Sequence, residues 1–185
     1  LEALFPIFKR SFWQRPGVVA DIIHFFITGA IRKLLVLFAL VVLVYGLGFL
    51  IYPPLQRTMT SLPFWVQLII ANVVFDVGAY WGHRWAHTVP LLWRFHAVHH
   101  SSEHLDWVAA SRLHPLDQAF IRICGILPVY LLGFTKETFG ALVAIEGVLA
   151  IFIHANVRWR FGWLEWLVAT PAFHHWHHAN EGPAS

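Results

Sequence analysis

The sequence predicts an all-α integral membrane protein, with about four transmembrane helices in two hairpins beneath one histidine-rich helical cap. Three observations lead there. Of 185 residues, 58% are hydrophobic and only 12% charged, more apolar surface than a water-soluble domain of this length can hide. Long uncharged runs recur at the length of a bilayer crossing. Histidine is heavily enriched, and 11 of the 13 histidines fall within residues 83–114 and 174–178.

Taken in order, residues 17–33 read as an interfacial helix. Asp21, His24, Thr28 and Arg32 recur at helical spacing, with Val18, Ile22, Phe25, Phe26 and Ile31 off that stripe. Residues 34–52 form the first span, ended by Pro53-Pro54. Pro63 opens a second span over 64–82, which carries Asp76. A third, over 118–134, contains Arg122 and Pro128 and is expected to kink or re-enter. The fourth covers 138–157 and contains Glu146. The last stretch, 158–185, is amphipathic, with Trp159, Trp163 and Trp166 as an interfacial belt. Residues 1–185 form a single membrane-embedded domain, and trimming is expected at both ends because the chain begins at Leu1 and stops just after a histidine cluster.

Sidedness follows from the basic residues. Lys9, Arg10, Arg15, Arg32 and Lys33 precede the first span and only Arg57 follows it. The N-terminus is therefore expected in the cytoplasm. Pairs of crossings then return residue 83 and residue 157 to the same face, so the histidine-rich stretches meet there. The single cysteine, Cys124, excludes a disulfide framework and a CxxC metal site. A formal charge of +3 with scattered basic residues offers no nucleic-acid stripe.

Three clusters carry the chemistry. His83 and His87 stand at i and i+4 on one helix face. His96, His99 and His100 form H-x2-H-H, and His174, His177 and His178 repeat it. A histidine doublet points two rings in divergent directions, which suits two neighbouring ions. Eight imidazoles exceed what one ion takes, so two are implied. Imidazole suits iron, zinc, copper and nickel alike, and spacing does not choose among them. His24 reads as a polar residue of the interfacial helix, and His104 and His175 are left unassigned.

These clusters resemble the three histidine boxes of the fatty acid hydroxylase/sterol desaturase superfamily. Asp76-x3-Tyr80-Trp81-x-His83-Arg84, His99-His100-Ser101-Ser102-Glu103, Arg112-x-His114-Pro115-Leu116, His154-x-Asn156 and Thr170-Pro171 are similar to that family's flanking motifs. The resemblance spans about residues 34–180. It implies a four-span fold with a cytosolic cap and a non-haem centre of two iron ions that activates O2. It also implies His154 as a ninth ligand, although Arg158 stands where some relatives place a further histidine.

Asp76 shares a helical face with Tyr80, His83 and His87 and is expected to orient a ligating ring. Glu103, His114 and Asn156 are further candidates for outer support, although a solvated surface suits Glu103 and Asp106 better. Glu146 stacks below His154 at helical spacing, either as a functional acid or as a bridge between helices. Trp81, Trp85 and Trp176 lie within the boxes, either to wall a metal pocket or, the safer reading for most of the tryptophans, as part of the interfacial belt.

The expected activity is O2-dependent hydroxylation or desaturation of a lipid C–H bond in a fatty acyl, sterol or related substrate. No flavin, haem or iron–sulfur motif is present in the sequence. Electrons are therefore expected from a cytochrome b5-like protein, a ferredoxin or a reductase. The competing readings are a zinc-dependent membrane hydrolase, a bis-histidine haem protein, and a metal transporter with ligands near mid-span.

Overall fold

A computed structural model describes residues 1–9 and 11–179. Arg10, residues 180–185 and the side chains of Arg32, Leu40, Leu43 and Val44 lie outside the described residues. The described chain is helical, with α1 (Val18–Gly46), α2 (Pro53–Thr60), α3 (Phe64–Thr88), α4 (Pro90–His100), α5 (Pro115–Leu132), α6 (Lys136–Phe152) and α7 (Pro171–Ala179), plus short 3-10 turns. Among the described residues, three helices are long and apolar enough to cross a membrane: α1 over Val18–Ala39, then α3 and α5.

The first two expected elements are one helix. No proline or turn signal separates residue 33 from residue 34, and α1 runs through that boundary. It ends at Gly46, before the diproline, and Pro53-Pro54 instead open α2. The polar stripe of α1 also faces the opposite way to the expectation. Asp21 and Thr28 are buried, while Ile23, Phe26, Ile27, Leu34 and Phe38 are exposed. The helix turns its polar side to the protein and its apolar side outward, as suits a lipid surrounding. The expected fourth span corresponds to α6, whose 17 residues extend only about 25 Å, short of a hydrocarbon core of about 30 Å. The chain leaves α6 just before His154. Pro128 lies inside α5 without ending it.

Helix α3 is central, packing against α4, α5 and α6, while α1 lies on α5. Ala71 and Phe75 of α3, Ile126 and Val129 of α5, and Leu142 of α6 form the buried core. Helices α3 and α5 approach closely because their contact is made of small residues. A Cβ at Gly78 would fall 2.2 Å from the carbonyl oxygen of Cys124, and one at Gly125 would fall 2.7 Å from the Phe75 ring. At the far end of the bundle from the histidines, buried Gln67 donates to the Leu62 carbonyl (2.7 Å) and accepts from the Thr135 backbone N–H (3.1 Å).

The segment between α4 and α5 is held to the start of α1 by buried charges. Arg15 pairs with Asp21 at 2.7 Å and with Asp106 at 2.6 Å, and Arg112 pairs with Asp21. Asp106 also accepts from the backbone N–H groups of Val108 and Ala109. It is therefore a buried anchor and not the solvated residue expected from the sequence, because Arg15 compensates its charge.

Candidate metal centre

Helix geometry and one proline assemble the first histidines. Helix α3 continues past the expected end of its span and carries His83 and His87 on its last turns. Pro90 forces Val89 out of the helical region (φ −95°, ψ 116°). The chain turns there, and α4 folds back so that His96 meets His87, their Nε2 atoms 3.2 Å apart. Helix α7 supplies the remaining cluster, and His154 enters from the end of α6.

Nine histidines gather in two adjacent groups. His83, His87, His96, His100 and His177 form one, and His99, His154, His174 and His178 the other. The doublets divide between them: His99 and His100 face different groups, as do His177 and His178. His100 stacks on His178 across the boundary, with ring centroids 4.3 Å apart.

Each close contact within a group is between Nε2 atoms. In the first group His83–His87 and His87–His177 are both 3.1 Å. In the second, His99–His154 is 3.1 Å, His154–His174 is 2.9 Å and His174–His178 is 3.1 Å. Nitrogens this close together can share one ion, each at about 2.1 Å from it.

Burial lowers the ring pKa of His99, His100, His174, His177 and His178 below the ordinary 6.5, and neighbouring rings add to the effect; His100 falls to about 2. Neutral imidazole is the form that donates a lone pair to metal. Both nitrogens of His100 are buried without a partner, as are Nδ1 of His87 and of His178. A cation bound by one nitrogen of His100 would offset part of that ring's desolvation cost, whereas Nδ1 of His87 and of His178 lies on the side of the ring away from its group; with nine ring nitrogens converging, the donor set fits metal.

The same shifts set the acid response of the metal-stripped protein. Unfolded rings take up protons near pH 6.5, and the buried rings do not. Below that pH the unfolded state binds more protons, so stability must fall with pH. The unfolding temperature of chelator-treated protein is expected to drop steadily between about pH 7 and pH 5. A flat or rising temperature would contradict this origin.

Backbone and carboxylate acceptors fix three rings. Nδ1 of His96 donates to both oxygens of Asp117, at 3.1 and 3.2 Å, in a pair almost wholly buried. Nδ1 of His99 donates to the Arg112 carbonyl at 3.2 Å, and that of His154 to the Ala150 carbonyl at 2.6 Å. In each ring the Nδ1 proton is thereby placed, and Nε2 is left to face its group.

The residues expected to give outer support lie elsewhere. Asp76 does not reach a histidine ring; it is exposed on α3. It falls seven residues before His83, about 10 Å along the helix axis. The Tyr80 hydroxyl accepts from Arg84 at 3.3 Å. Glu103 is exposed. His114 caps α5, its Nδ1 accepting from the Leu116 N–H at 3.3 Å, and packs on Phe95. Asn156 fastens the N-terminal segment, accepting from the Ile7 and Phe8 N–H groups and donating to the Phe8 carbonyl. His24 bonds Thr28 at 2.9 Å, and Nε2 of His175 donates to the carbonyls of His154 and Ala155, both at 3.2 Å. Of the three box tryptophans, Trp81, Trp85 and Trp176 are all exposed.

Asp117 is the supporting residue that the sequence reading missed. One signal was present: it is the single acid of α5, in its first turn, immediately after the R-x-H-P-L motif. Asp117→Asn should lower metal content or activity about 10–100-fold, read as metal per chain and as turnover, while Asp76→Asn should leave metal content unchanged. Equal metal loss in the two variants would place the support wrongly.

Comparison with known proteins agrees with the geometry. The model of the fatty acid hydroxylase family matches residues 68–184. The chain is 37% identical over 117 residues to the ornithine lipid hydroxylase OlsE of Rhizobium tropici, covering 63% of this chain and 35% of that protein. It is 34% identical over 109 residues to the alkylglycerol monooxygenase of Danio rerio, covering 59% and 24%. It is 28% identical over 123 residues to the Delta(7)-sterol 5(6)-desaturase ERG3B of Gibberella zeae, covering 62% and 36%. The chain thus spans between about a quarter and a third of the length of these relatives. No solved structure matches it. With most of its length matched by the family model and its histidine boxes gathered at one site, the chain belongs to the fatty acid hydroxylase family.

Proposed function

We propose that the protein is an O2-dependent oxidoreductase that hydroxylates or desaturates a C–H bond of a membrane lipid at a centre of two iron ions. The observation that carries this reading is the division of nine histidines into adjacent groups of five and four. The relatives named as hydroxylase, monooxygenase and desaturase support lipid oxidation as the reaction class. The carboxylate at the rings, Asp117, is engaged by His96 and is not free to serve as a hydrolytic base.

His83, His87, His96, His100 and His177 would hold one ion, and His99, His154, His174 and His178 the other. The ions, when bound, supply the redox chemistry and O2 activation that side chains lack. The protein positions and shields. Asp117 and the carbonyls of Arg112 and Ala150 hold three rings in the orientation that presents Nε2. The second group is wholly buried, whereas His83 and His177 of the first are half-buried. That edge is where a substrate chain would approach. Electrons would come from a separate donor such as a cytochrome b5-like protein, a ferredoxin or a reductase.

In the membrane, α1, α3 and α5 would cross with α6 completing the second hairpin, and the histidines would face the cytoplasm. Elemental analysis should give two ions per chain, and iron-loaded protein should consume O2 with a reductant only when a lipid substrate is present. A reproducible single ion would sink the two-ion model. Cysteines placed at residues 101 and 58 in a Cys124→Ser background should label from opposite sides, and same-side labelling would overturn the topology.

A further inference from the structure

Beyond the histidines, one cavity is lined by two arginines that are followed within a few residues by exposed tryptophans. It has a volume of about 220 Å³ and is lined by Ile7, Arg158, Arg160, Ala172 and His175. The two arginines lie in the extended segment between α6 and the 3-10 turn Gly162–Trp166. Side chains two apart in extended backbone point the same way. The intervening Trp159 points away from them and packs on Phe5 and Phe152, with centroid separations of 6.2 Å. Both arginines are exposed, and among the described residues neither guanidinium is engaged by a carboxylate. Glu165, the nearest acid in sequence, accepts from the Phe161 N–H at 2.9 Å.

We propose that this cavity is a binding site for the anionic head group of a lipid, a phosphate or a carboxylate held by Arg158 and Arg160. Paired guanidiniums match either anion bidentately. The residues that follow them in the sequence are the reason to assign the anion to a lipid and not to a free solute. Trp163 and Trp166 are 71% and 90% exposed, and Leu167 and Val168 are exposed next to them. Large aromatics with an indole N–H settle at the boundary between acyl chains and head groups. Arginines next to such a patch stand at the level of lipid phosphates. His175 forms one wall of the cavity: its Nε2 proton is given to backbone carbonyls, and its ring stacks on Phe8 with centroids 6.3 Å apart. It also sits on α7 beside His174, so an occupied cavity holds the lipid's head next to the second histidine group.

This assignment deepens the lipid-oxidation reading and rests on it, but its test needs no turnover. Full-length protein in neutral detergent should bind dioleoylphosphatidic acid at least tenfold more tightly than dioleoylglycerol, and oleate more tightly than oleyl alcohol. The double variant Arg158→Gln/Arg160→Gln should abolish both preferences while keeping its metal content. The double variant Arg158→Lys/Arg160→Lys retains the charge and should retain part of each preference, which guards against a folding artefact. Lys136→Gln, at the opposite end of α6, should change neither. Retained preference in the glutamine variant, equal loss in Lys136→Gln, or competition by inorganic phosphate at matching concentration would overturn the site. A single bound ion with an intact lipid preference would instead count against the two-ion centre alone.

Discussion

Replacing His154 with Ala is expected to remove one ion and leave the other. His154 lies between His99 and His174, its Nε2 at 3.1 and 2.9 Å from theirs, so it is the middle of the four-histidine group. Its loss leaves three donors there and all five in the other group. Metal per chain should fall from about two to about one. Turnover should fall by more than about 100-fold, beyond the range of losses from outer support alone. Two ions retained in a folded His154→Ala protein would remove His154 from the ligand set. The position is informative because the sequence motif around it is incomplete, with Arg158 in place of a second histidine.

His100→Ala should have the broader effect. His100 has no hydrogen-bond partner for either ring nitrogen, although it is buried. It stacks on His178 of the neighbouring group and lies 4.7 Å, centroid to centroid, from His87. Removing it takes a donor from the first group and a packing surface from the second. Turnover should be lost, and both ions should weaken, with the first group's ion lost outright. If the ring were only structural, its removal would relieve two unpartnered buried nitrogens and the apo protein would gain stability without metal loss. Metal analysis together with the unfolding temperature separates the two.

The elements that position the site show how far the amino-acid order alone reaches. The spans at 64–82 and 118–134 were visible because long apolar runs bounded by prolines have few alternatives in lipid; they appear as α3 and α5. The continuity of α1 through residues 33 and 34 was not visible, because an amphipathic stripe reads the same whether its polar side faces water or protein. Asp21 decides it, since Arg15 and Arg112 reach it from distant parts of the sequence. The length of α6 was overestimated for a related reason: Ile153 and His154 look like a continuation of an apolar run, yet the chain turns there to deliver the His154 ring.

The identities of the histidines that meet were determined by the sequence itself. Spacing at i, i+3 and i+4 places rings on a shared helix face regardless of context, and doublets must diverge. That reasoning needs only local geometry, and the eight box histidines together with His154 are the nine that the structure gathers. Only the tertiary structure decided which histidine belongs to which group, because α3, α4, α6 and α7 each supply part and their relative rotation is set by packing, not by local propensity. It alone assigned the support of His96 to Asp117, 21 residues away, and not to Asp76 on the more obvious helical face. A carboxylate seven residues before His83 lies about 10 Å along the same helix, too far to touch its ring, whereas α5 brings Asp117 alongside by crossing the bundle. Backbone acceptors such as the Arg112 and Ala150 carbonyls leave no mark in a sequence, since every residue carries one.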